Sequence, residues 1–387
     1  MTEALETPTL KKSPLEETHR RLGAIMIESD GWSVPASFGD PLLEYAAVRE
    51  GGAGLIDISS RGRILVSGSE AIQFLNGLIT NDMKTLAVDS WMPAAFPNVQ
   101  GRLIASVRVL RLNDESTDQT TPAGLPRRGP RQNGCPAFLI DTEAATHERV
   151  LKTIERFTLA GDFRVTDMTD QTALISLQGK KAVDQIRAVL GEEASSLSIN
   201  QAKQVAPATT VWRASPTGEI GFDLMVNAEE AAGLWAALEH AGARPVGQAA
   251  FEILRIEAGQ PVYGVDMDET NVVTEALDDA VSYTKGCYIG QEIVARIKYR
   301  GHVAKKLSGI LFKTTTKVAA GAVIKSDGKE IGRVTSAAYS YHLGRTIALA
   351  YLKYDYLTPE ILVTVLCGSE EVFGKVATLP FVKRSSH

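Results

Sequence analysis

Lys285-Gly286-Cys287-Tyr288-Ile289-Gly290-Gln291-Glu292 is the stretch on which the interpretation of this chain depends. It places one of only three cysteines between a lysine and an aromatic ring, with a glycine on each side. Glycine allows the backbone to turn tightly or to approach another group closely. Because the thiolate is the reactive form of cysteine and a nearby ammonium favours it, Cys287 is a candidate reactive group and Lys285 its candidate activator. A buried cysteine without chemistry is the competing interpretation, since free cysteine is among the most buried residue types.

A second informative stretch is Ser215-Pro216-Thr217-Gly218-Glu219-Ile220-Gly221-Phe222-Asp223. A carboxylate at a glycine-flanked turn offers two acceptor oxygens in one plane. A pterin ring presents two adjacent N–H donors, which such a fork matches bidentately. Glu219 is therefore a candidate pterin ligand, with Gly218 shaping the turn. The alternative is that Glu219 is only a polar residue at the tip of a hairpin.

Composition narrows the possible classes of protein. A chain of 387 residues exceeds what a single core usually holds, and its formal charge of −5 gives no case for a dedicated nucleic-acid binder. The three cysteines are widely separated, so neither a disulfide framework, a zinc site nor a four-thiolate cluster is predicted. With no apolar run of about 18 residues and no apparent targeting segment, we expect a cytoplasmic protein without a membrane span.

Local patterns predict three regions. Residues 1–14 are polar and aperiodic and are expected to be flexible, and residues 15–300 mix strands with helices. Within this core, residues 113–136 lack apolar periodicity and predict a long mobile loop. From 301 to 387 only short strands are predicted, with Asp327-Gly328 as a strong hairpin signal, which favours a β-barrel that removes its own edges.

Individual elements of the core are also predicted. A strand is predicted over Gly62–Ser67. Another is predicted over Leu103–Leu112, which is rich in Val and Ile and has Ala105, Val107 and Val109 on one face. A further strand is predicted over Ala137–Ile140, followed by a helix that Asp141 caps.

The quoted stretches resemble a known superfamily. Residues 285–292 resemble the K-G-C-[FY]-x-G-Q-E signature of the folate-binding YgfZ family, a branch of the superfamily that includes the glycine-cleavage T-protein aminomethyltransferases. Residues 215–223 resemble the T-G-E-x-G-[FY]-[DE]-[LI] element of T-proteins and related folate enzymes, whose glutamate binds the pterin. Arg255–Gly264 resembles the R-[LI]-E-A-G-x-P-x-Y-G segment, and Leu75–Asp82 resembles the F-L-x-x-L-x-T-N-D element. The resemblance runs from about Leu15 into the C-terminal region.

This resemblance implies an α+β fold of three parts around a central opening, made of two interleaved α+β subdomains and a C-terminal antiparallel β-barrel. It implies tetrahydrofolate, or a one-carbon derivative, in the opening. The cofactor-binding residues expected from the matched motifs are Glu219, Gly218, Tyr263 and Asn81. It further implies a role in assembling or repairing iron–sulfur clusters, with client enzymes or cluster carriers as partners. Cys287 and Lys285 would then be catalytic, beside the motif residues Gly286, Tyr288, Gly290, Gln291 and Glu292.

One departure separates this chain from classical T-proteins. They carry a G-G-V-x-D-D-like segment whose aspartate is required for aminomethyl transfer. The corresponding stretch here, residues 100–106, reads Q-G-R-L-I-A-S and has no carboxylate. Without that base or charge stabiliser, the transfer is expected to lose its main participant. A folate-dependent aminomethyltransferase or demethylase of the T-protein type is therefore the alternative function, and a folate-binding scaffold with a structural Cys287 is a third.

Overall fold

A computed structural model describes residues 9–112, 135–157, 161–368 and 370–383. The segments predicted to be flexible, 1–14 and 113–136, lie largely outside the described residues. The described end of the first segment is ordered against the core. Lys11–Lys12 pairs in parallel with Trp32 and Ser33, and the buried hydroxyl of Ser13 donates to Asp57 at 2.5 Å.

The first subdomain is built on a five-stranded antiparallel sheet. Its strands, in spatial order, are β6 (Ser90–Pro97), β7 (Leu103–Leu112), β8 (Ala137–Thr142), β5 (Gly62–Ser67) and β9 (Arg164–Asp167). Helices α3 (Ala71–Leu78) and α4 (His147–Glu155) pack on one face of it. Side chains alternate along β7: Val107 and Val109 point to this helical layer, whereas Leu110 packs on the opposite side. That opposite side is the one that meets the second subdomain.

The second subdomain is built on a six-stranded sheet. Its strands, in spatial order, are β11 (Ala202–Ala206), β12 (Thr209–Arg213), β13 (Gly221–Asn227), β10 (Thr172–Gln178), β4 (Gly54–Asp57) and β14 (Arg244–Pro245). Helices α1 (Glu16–Arg21), α5 (Ala182–Leu190), α6 (Glu192–Ser195) and α7 (Ala228–His240) accompany this sheet. Because β4 precedes the whole first sheet in the chain yet pairs with β10, the two subdomains are interleaved.

The two sheets face each other across a shared core. Leu110 and Leu139 from the first sheet pack in one cluster with Trp212 and Met225 from the second. Two helices, α2 (Pro41–Arg49) and α8 (Gln248–Glu257), contribute to the same cluster. A small sheet of β1 (Lys11–Lys12), β3 (Trp32–Ser37) and β2 (Ile25–Ser29) lies beside α8.

The C-terminal part is a closed antiparallel barrel, reached through α9 (Gln291–Arg300). Its strands, in order around the barrel, are β15 (Lys305–Phe312), β18 (Arg345–Lys353), β17 (Lys329–Ser340), β16 (Val323–Ser326), β19 (Leu362–Cys367) and β20 (Glu370–Ala377). Asp327 and Gly328 join β16 to β17 with φ of 48° and 74°, as a hairpin with this dipeptide requires. The predicted α+β fold with its C-terminal barrel is confirmed.

The structure corrects one predicted element. Asp141 does not cap a helix; it lies within β8, and α4 begins at His147. Its carboxylate is taken by two guanidinium groups, since Arg61 donates to Asp141 at 2.7 Å and Arg108 also donates to it. Those long-range partners hold Asp141 in the strand.

Candidate functional site

The turn between β12 and β13 presents Glu219 from a fixed backbone. Gly218 has φ of 79°, a left-handed conformation that favours glycine, and its N–H donates to the Ser215 carbonyl at 3.1 Å. The Ser215 hydroxyl closes the turn by donating to the Glu219 carbonyl. Thr217 anchors the turn to the sheet, since its hydroxyl donates to Gln178 Oε1 at 3.1 Å. The glycine-flanked turn therefore positions the Glu219 carboxylate.

Arg49, at the end of α2, holds that carboxylate from one side. Its Nη1 donates to Glu219 Oε1 at 2.7 Å, and its Nη2 donates to Glu257 Oε2 at 2.6 Å. The side chains of Arg49, Glu219 and Glu257 are 4%, 7% and 0% exposed. Burial alone would lower the pKa of Arg49, but Glu257 and Glu219 outweigh it and raise this pKa above its ordinary value. Two carboxyl groups thus share one guanidinium.

One oxygen of Glu219 is without a partner among the described residues. Only its Oε1 is engaged with Arg49, and no hydrogen bond joins its Oε2 to the described residues. Nε of Arg49 is buried and has no partner among them either. A carboxylate fixed by one oxygen and open at the other can accept an N–H from a bound molecule.

Glu257 ties the site to the barrel. Its Oε1 accepts from the Tyr45 hydroxyl at 2.7 Å and from the Ser340 hydroxyl of β17 at 2.5 Å. The barrel therefore supports Glu219 through Glu257 and Arg49.

Lys285 and Asn81, which the resemblance places in the site, meet each other. The Lys285 ammonium donates to the carbonyls of Asn76, Ile79 and Asn81 at 2.7, 2.8 and 2.8 Å. These carbonyls lie at and just beyond the end of α3, where helices leave acceptors without partners. Burial lowers the pKa of Lys285 to about 8. The Asn81 amide donates to the Pro93 carbonyl at 2.8 Å, so both side chains hold the protein's own backbone.

The rest of the 285–292 stretch fits the same packing. Gly286 and Cys287 are exposed and Tyr288 is buried. Gly290 has φ of 77°, and a Cβ there would lie 2.3 Å from the Asn98 carbonyl oxygen, so a side chain has no room. The stretch ends as Gln291 and the exposed Glu292 begin α9. The catalytic roles predicted for Cys287 and Lys285 stay predictions.

Tyr263 lies beside a carboxylate that the sequence did not single out. Its N–H donates to Glu143 Oε2 at 2.7 Å, and its hydroxyl accepts from Arg149 at 3.1 Å. Burial raises the pKa of Tyr263 above its ordinary value. Arg49 and Glu143 are the two charged residues that sequence reasoning missed, because no local motif surrounds either of them.

Two cavities lie away from Glu219. One of about 530 Å³ is lined by residues 264–268 and by barrel residues that include Tyr351. The other, of about 750 Å³, is lined by Lys11, His147 and Arg149 among others. Neither cavity is lined by Glu219. The candidate site is therefore identified by the hydrogen bonds of Glu219 and Arg49 and not by a cavity. Among the described residues, no helix could cross a membrane, and no cluster of histidine, cysteine and acidic residues is placed to hold a metal ion.

Comparison with known proteins assigns the family. Residues 15–126 and 134–285 match the GCVT N-terminal domain, and residues 305–383 match the glycine cleavage T-protein C-terminal barrel domain. The chain therefore belongs to the glycine-cleavage T-protein superfamily.

Full-length relatives agree with this assignment. An aminomethyltransferase from Symbiobacterium thermophilum is 32% identical over 391 residues, covering 98% of this chain and 99% of the relative. An aminomethyltransferase from Thermotoga neapolitana is 30% identical over 384 residues, covering 97% and 99%. The crystal structure of glycine cleavage system aminomethyltransferase T from Bartonella henselae covers 97% of this chain with a TM-score of 0.85; at 24% identity it supports the fold alone.

The predicted role in iron–sulfur cluster assembly or repair is wrong. The full-length relatives are named aminomethyltransferase, and none of these comparisons points to iron–sulfur client enzymes. The prediction gave most weight to residues 285–292, whereas the similarity to the aminomethyltransferases extends over nearly the whole chain. The comparisons favour the alternative function, that of the T-protein type.

Proposed function

We propose that the protein binds a reduced folate beside Glu219 and transfers to it a one-carbon unit carried as an aminomethyl group. The observation that carries this proposal is the buried Glu219 carboxylate, fixed by Arg49 through one oxygen and open at the other. Its open oxygen suits a pterin N–H. Aminomethyl transfer is supported by relatives of that name that cover nearly the whole chain.

Each residue predicted to bind the cofactor has a place in this proposal. Glu219 accepts from the pterin, and Gly218 allows the turn that aims it. Tyr263 borders the folate through its contact with Glu143. Asn81 positions the loop after α3, because its amide and carbonyl are taken by protein groups. Tetrahydrofolate is the substrate that supplies the nucleophilic nitrogen, and its one-carbon derivative is the product.

Finer assignments are part of the same proposal. Membership of the YgfZ branch is supported by the eight residues 285–292. A cytoplasmic location and a division into a folate-binding core, 15–300, and a barrel, 301–387, follow the sequence interpretation.

Titration calorimetry with tetrahydrofolate tests the binding. In Glu219→Gln one carboxylate oxygen becomes an NH₂ group, so a pterin N–H faces a donor. We expect affinity to fall by about 1–3 kcal/mol, or about 5- to 150-fold. Glu230→Gln, at an exposed position on α7, is the matched control and should bind as wild type. Equal affinity in Glu219→Gln would remove this residue from the site.

A transfer assay tests the reaction. The protein is mixed with tetrahydrofolate and an aminomethyl thioether of dihydrolipoamide, and ammonia and methylenetetrahydrofolate are measured. Turnover near or above about 1 per second, typical of enzymes, is expected. Tight folate binding without turnover would reject the transfer and leave a folate-binding protein.

A further inference from the structure

We propose that Glu143 is the carboxylate that exchanges a proton with the reacting folate, at the place where the β7 strand has lost its acidic residue. This inference rests on the proposed function, since it assigns a residue to that reaction. Classical T-proteins use an aspartate on the strand that here reads Leu103-Ile104-Ala105-Ser106. A transferase without that aspartate needs another proton acceptor close by.

The register of the first sheet places Glu143 next to the missing group. Val107 of β7 pairs with Thr142 of β8 in an antiparallel ladder. Glu143 keeps an extended backbone, with φ of −68° and ψ of 150°, so the ladder direction continues by one residue. Ser106 then lies opposite Glu143. Residues that face each other across such a pair project to the same side of a sheet, so Glu143 projects where a side chain at 106 does.

That side of the sheet leads to Glu219. Leu139 and Met225 pack together in the core between the sheets. Further along both strands, Asp141 and Asp223 are joined by Arg108, which donates to both carboxylates. Two residues beyond Asp141 is Glu143, and four residues before Asp223 is Glu219. The two glutamates therefore lie toward the same end of the space between the sheets.

The surroundings of Glu143 suit a group that gains and loses a proton. Its Oε2 accepts the Tyr263 N–H, and its Oε1 has no hydrogen bond to the described residues. Burial raises the pKa of Glu143 above its ordinary value, and Asp141 adds to the rise, whereas Arg61, the Tyr263 N–H and Arg255 oppose it. A carboxyl group with a raised pKa is a better proton acceptor near neutral pH than an ordinary one.

The proposed reaction needs no reactant besides the folate and the aminomethyl carrier. The secondary amine of the folate attacks the aminomethyl carbon, and an N–C bond forms as the C–S bond breaks. The electron pair of the C–S bond leaves on sulfur as a thiolate. The proton of this attacking amine, N5, passes to the Glu143 carboxylate, which returns it to the aminomethyl nitrogen. That nitrogen departs as ammonia as the second amine of the folate, N10, forms its own N–C bond to the same carbon, and the N10 proton neutralises the thiolate. No group is oxidised or reduced.

Glu143→Gln separates this role from a structural one. The Gln carbonyl still accepts the Tyr263 N–H, and the charge of a half-buried carboxylate is removed, so stability at pH 7 should be unchanged or higher. We expect kcat to fall by about 10²- to 10⁴-fold, the usual contribution of a general acid–base group, with KM for tetrahydrofolate changed less than about threefold. The acidic limb of the pH profile of kcat/KM should disappear. Glu148→Gln, exposed on α4, should behave as wild type.

A second carboxylate at the paired position tests the geometry. Adding Ser106→Asp to Glu143→Gln should restore kcat at least about tenfold, because the acid then projects from the opposite strand into the same place. A Glu143→Gln protein with wild-type kcat and an unchanged pH profile would overturn the inference while leaving the proposed function standing.

A binding measurement tests the inference even when the wild-type protein shows no catalytic turnover. Calorimetry of tetrahydrofolate binding in buffers of different ionisation enthalpy gives the number of protons exchanged on binding. Near and above pH 4.5, the ordinary pKa of a glutamate, wild type should exchange protons on binding, and Glu143→Gln should exchange fewer. Equal exchange in the two proteins overturns the inference. Absence of folate binding in wild type overturns the proposed function and this inference with it.

Discussion

Replacing Lys285 by methionine removes a side chain that donates to three backbone carbonyls around the end of α3. Methionine keeps most of the apolar stem but none of the N–H donors. A buried acceptor left without a donor costs about 1–3 kcal/mol. Water can reach the half-buried Asn81 carbonyl, so we use the lower end of this range, about 1 kcal/mol for each of the three carbonyls. The free energy of unfolding should therefore fall by about 3 kcal/mol. The cation–π contact of Lys285 with Tyr288, at 4.9 Å, adds a smaller loss.

Chemical denaturation measures the total loss, and hydrogen exchange locates it. Amides in the last turn of α3 and in residues 285–292 should lose protection first, because the lysine joins these two segments. Lys180→Met, at an exposed position, is the matched control and should change the free energy of unfolding by less than about 0.5 kcal/mol.

The pH dependence gives an independent check with a definite sign. The pKa of Lys285 is about 8 in the folded protein and 10.5 in its ordinary state, so between these values the unfolded chain binds more protons. The stability of wild type relative to Lys285→Met should therefore rise from pH 8 to 10. A variant within 1 kcal/mol of wild type and with unchanged exchange in α3 would refute this reasoning.

Two further predictions concern buried charges. Arg49→Met leaves two buried carboxylates without their shared cation, so we expect the free energy of unfolding, measured by chemical denaturation, to fall by about 3–5 kcal/mol. Arg187→Met, at an exposed position, is the control and should lower it by less than about 1 kcal/mol. Equal losses in the two variants would contradict the idea that burial makes the Arg49 ion pairs costly to break. Burial alone would raise the pKa of Asp57, but hydrogen bonds from His19 and Ser13 bring it below its ordinary 3.8. The stabilisation from Asp57 is therefore present above about pH 4 and lost at lower pH. As the pH falls below 4, the difference in free energy of unfolding between wild type and Asp57→Asn should shrink. A difference that does not change with pH would contradict this prediction.

The elements that the sequence predicted best depend on local patterns. The bounds of Gly62–Ser67 and Leu103–Leu112 match the structure. In the longer strand Ala105, Val107 and Val109 recur with a period of two and lie on one face, which is a local pattern. Asp141 was misplaced because an N-cap and a strand aspartate look alike in the sequence. Only its long-range contacts with Arg61 and Arg108 distinguish them.

The site shows the same division between local and distant information. Glu219 was predicted from the glycine-flanked turn that carries it. Arg49 is 170 residues away from Glu219 in the chain, and Glu143 is 120 residues away from Tyr263. Lys285 was predicted to act on its neighbour Cys287, whereas its three acceptors lie more than 200 residues away. A single sequence contains no pattern that links such distant positions.

The pairing of β4 with β10 affects how the chain matures during synthesis. Asp57 of β4 pairs with Ile175 of β10, so β4 cannot form this pair until Ile175 has been synthesised. Every residue of the first sheet is synthesised in between. At 5–20 residues per second a ribosome needs roughly 6 to 24 s to cover that interval. During this time β4 has an unpaired edge of strand, the kind of surface that promotes aggregation. The nascent protein is therefore most vulnerable after its first sheet has been made and before β10 emerges, and a chaperone that shields Gly54–Asp57 in that interval would raise the yield of folded protein.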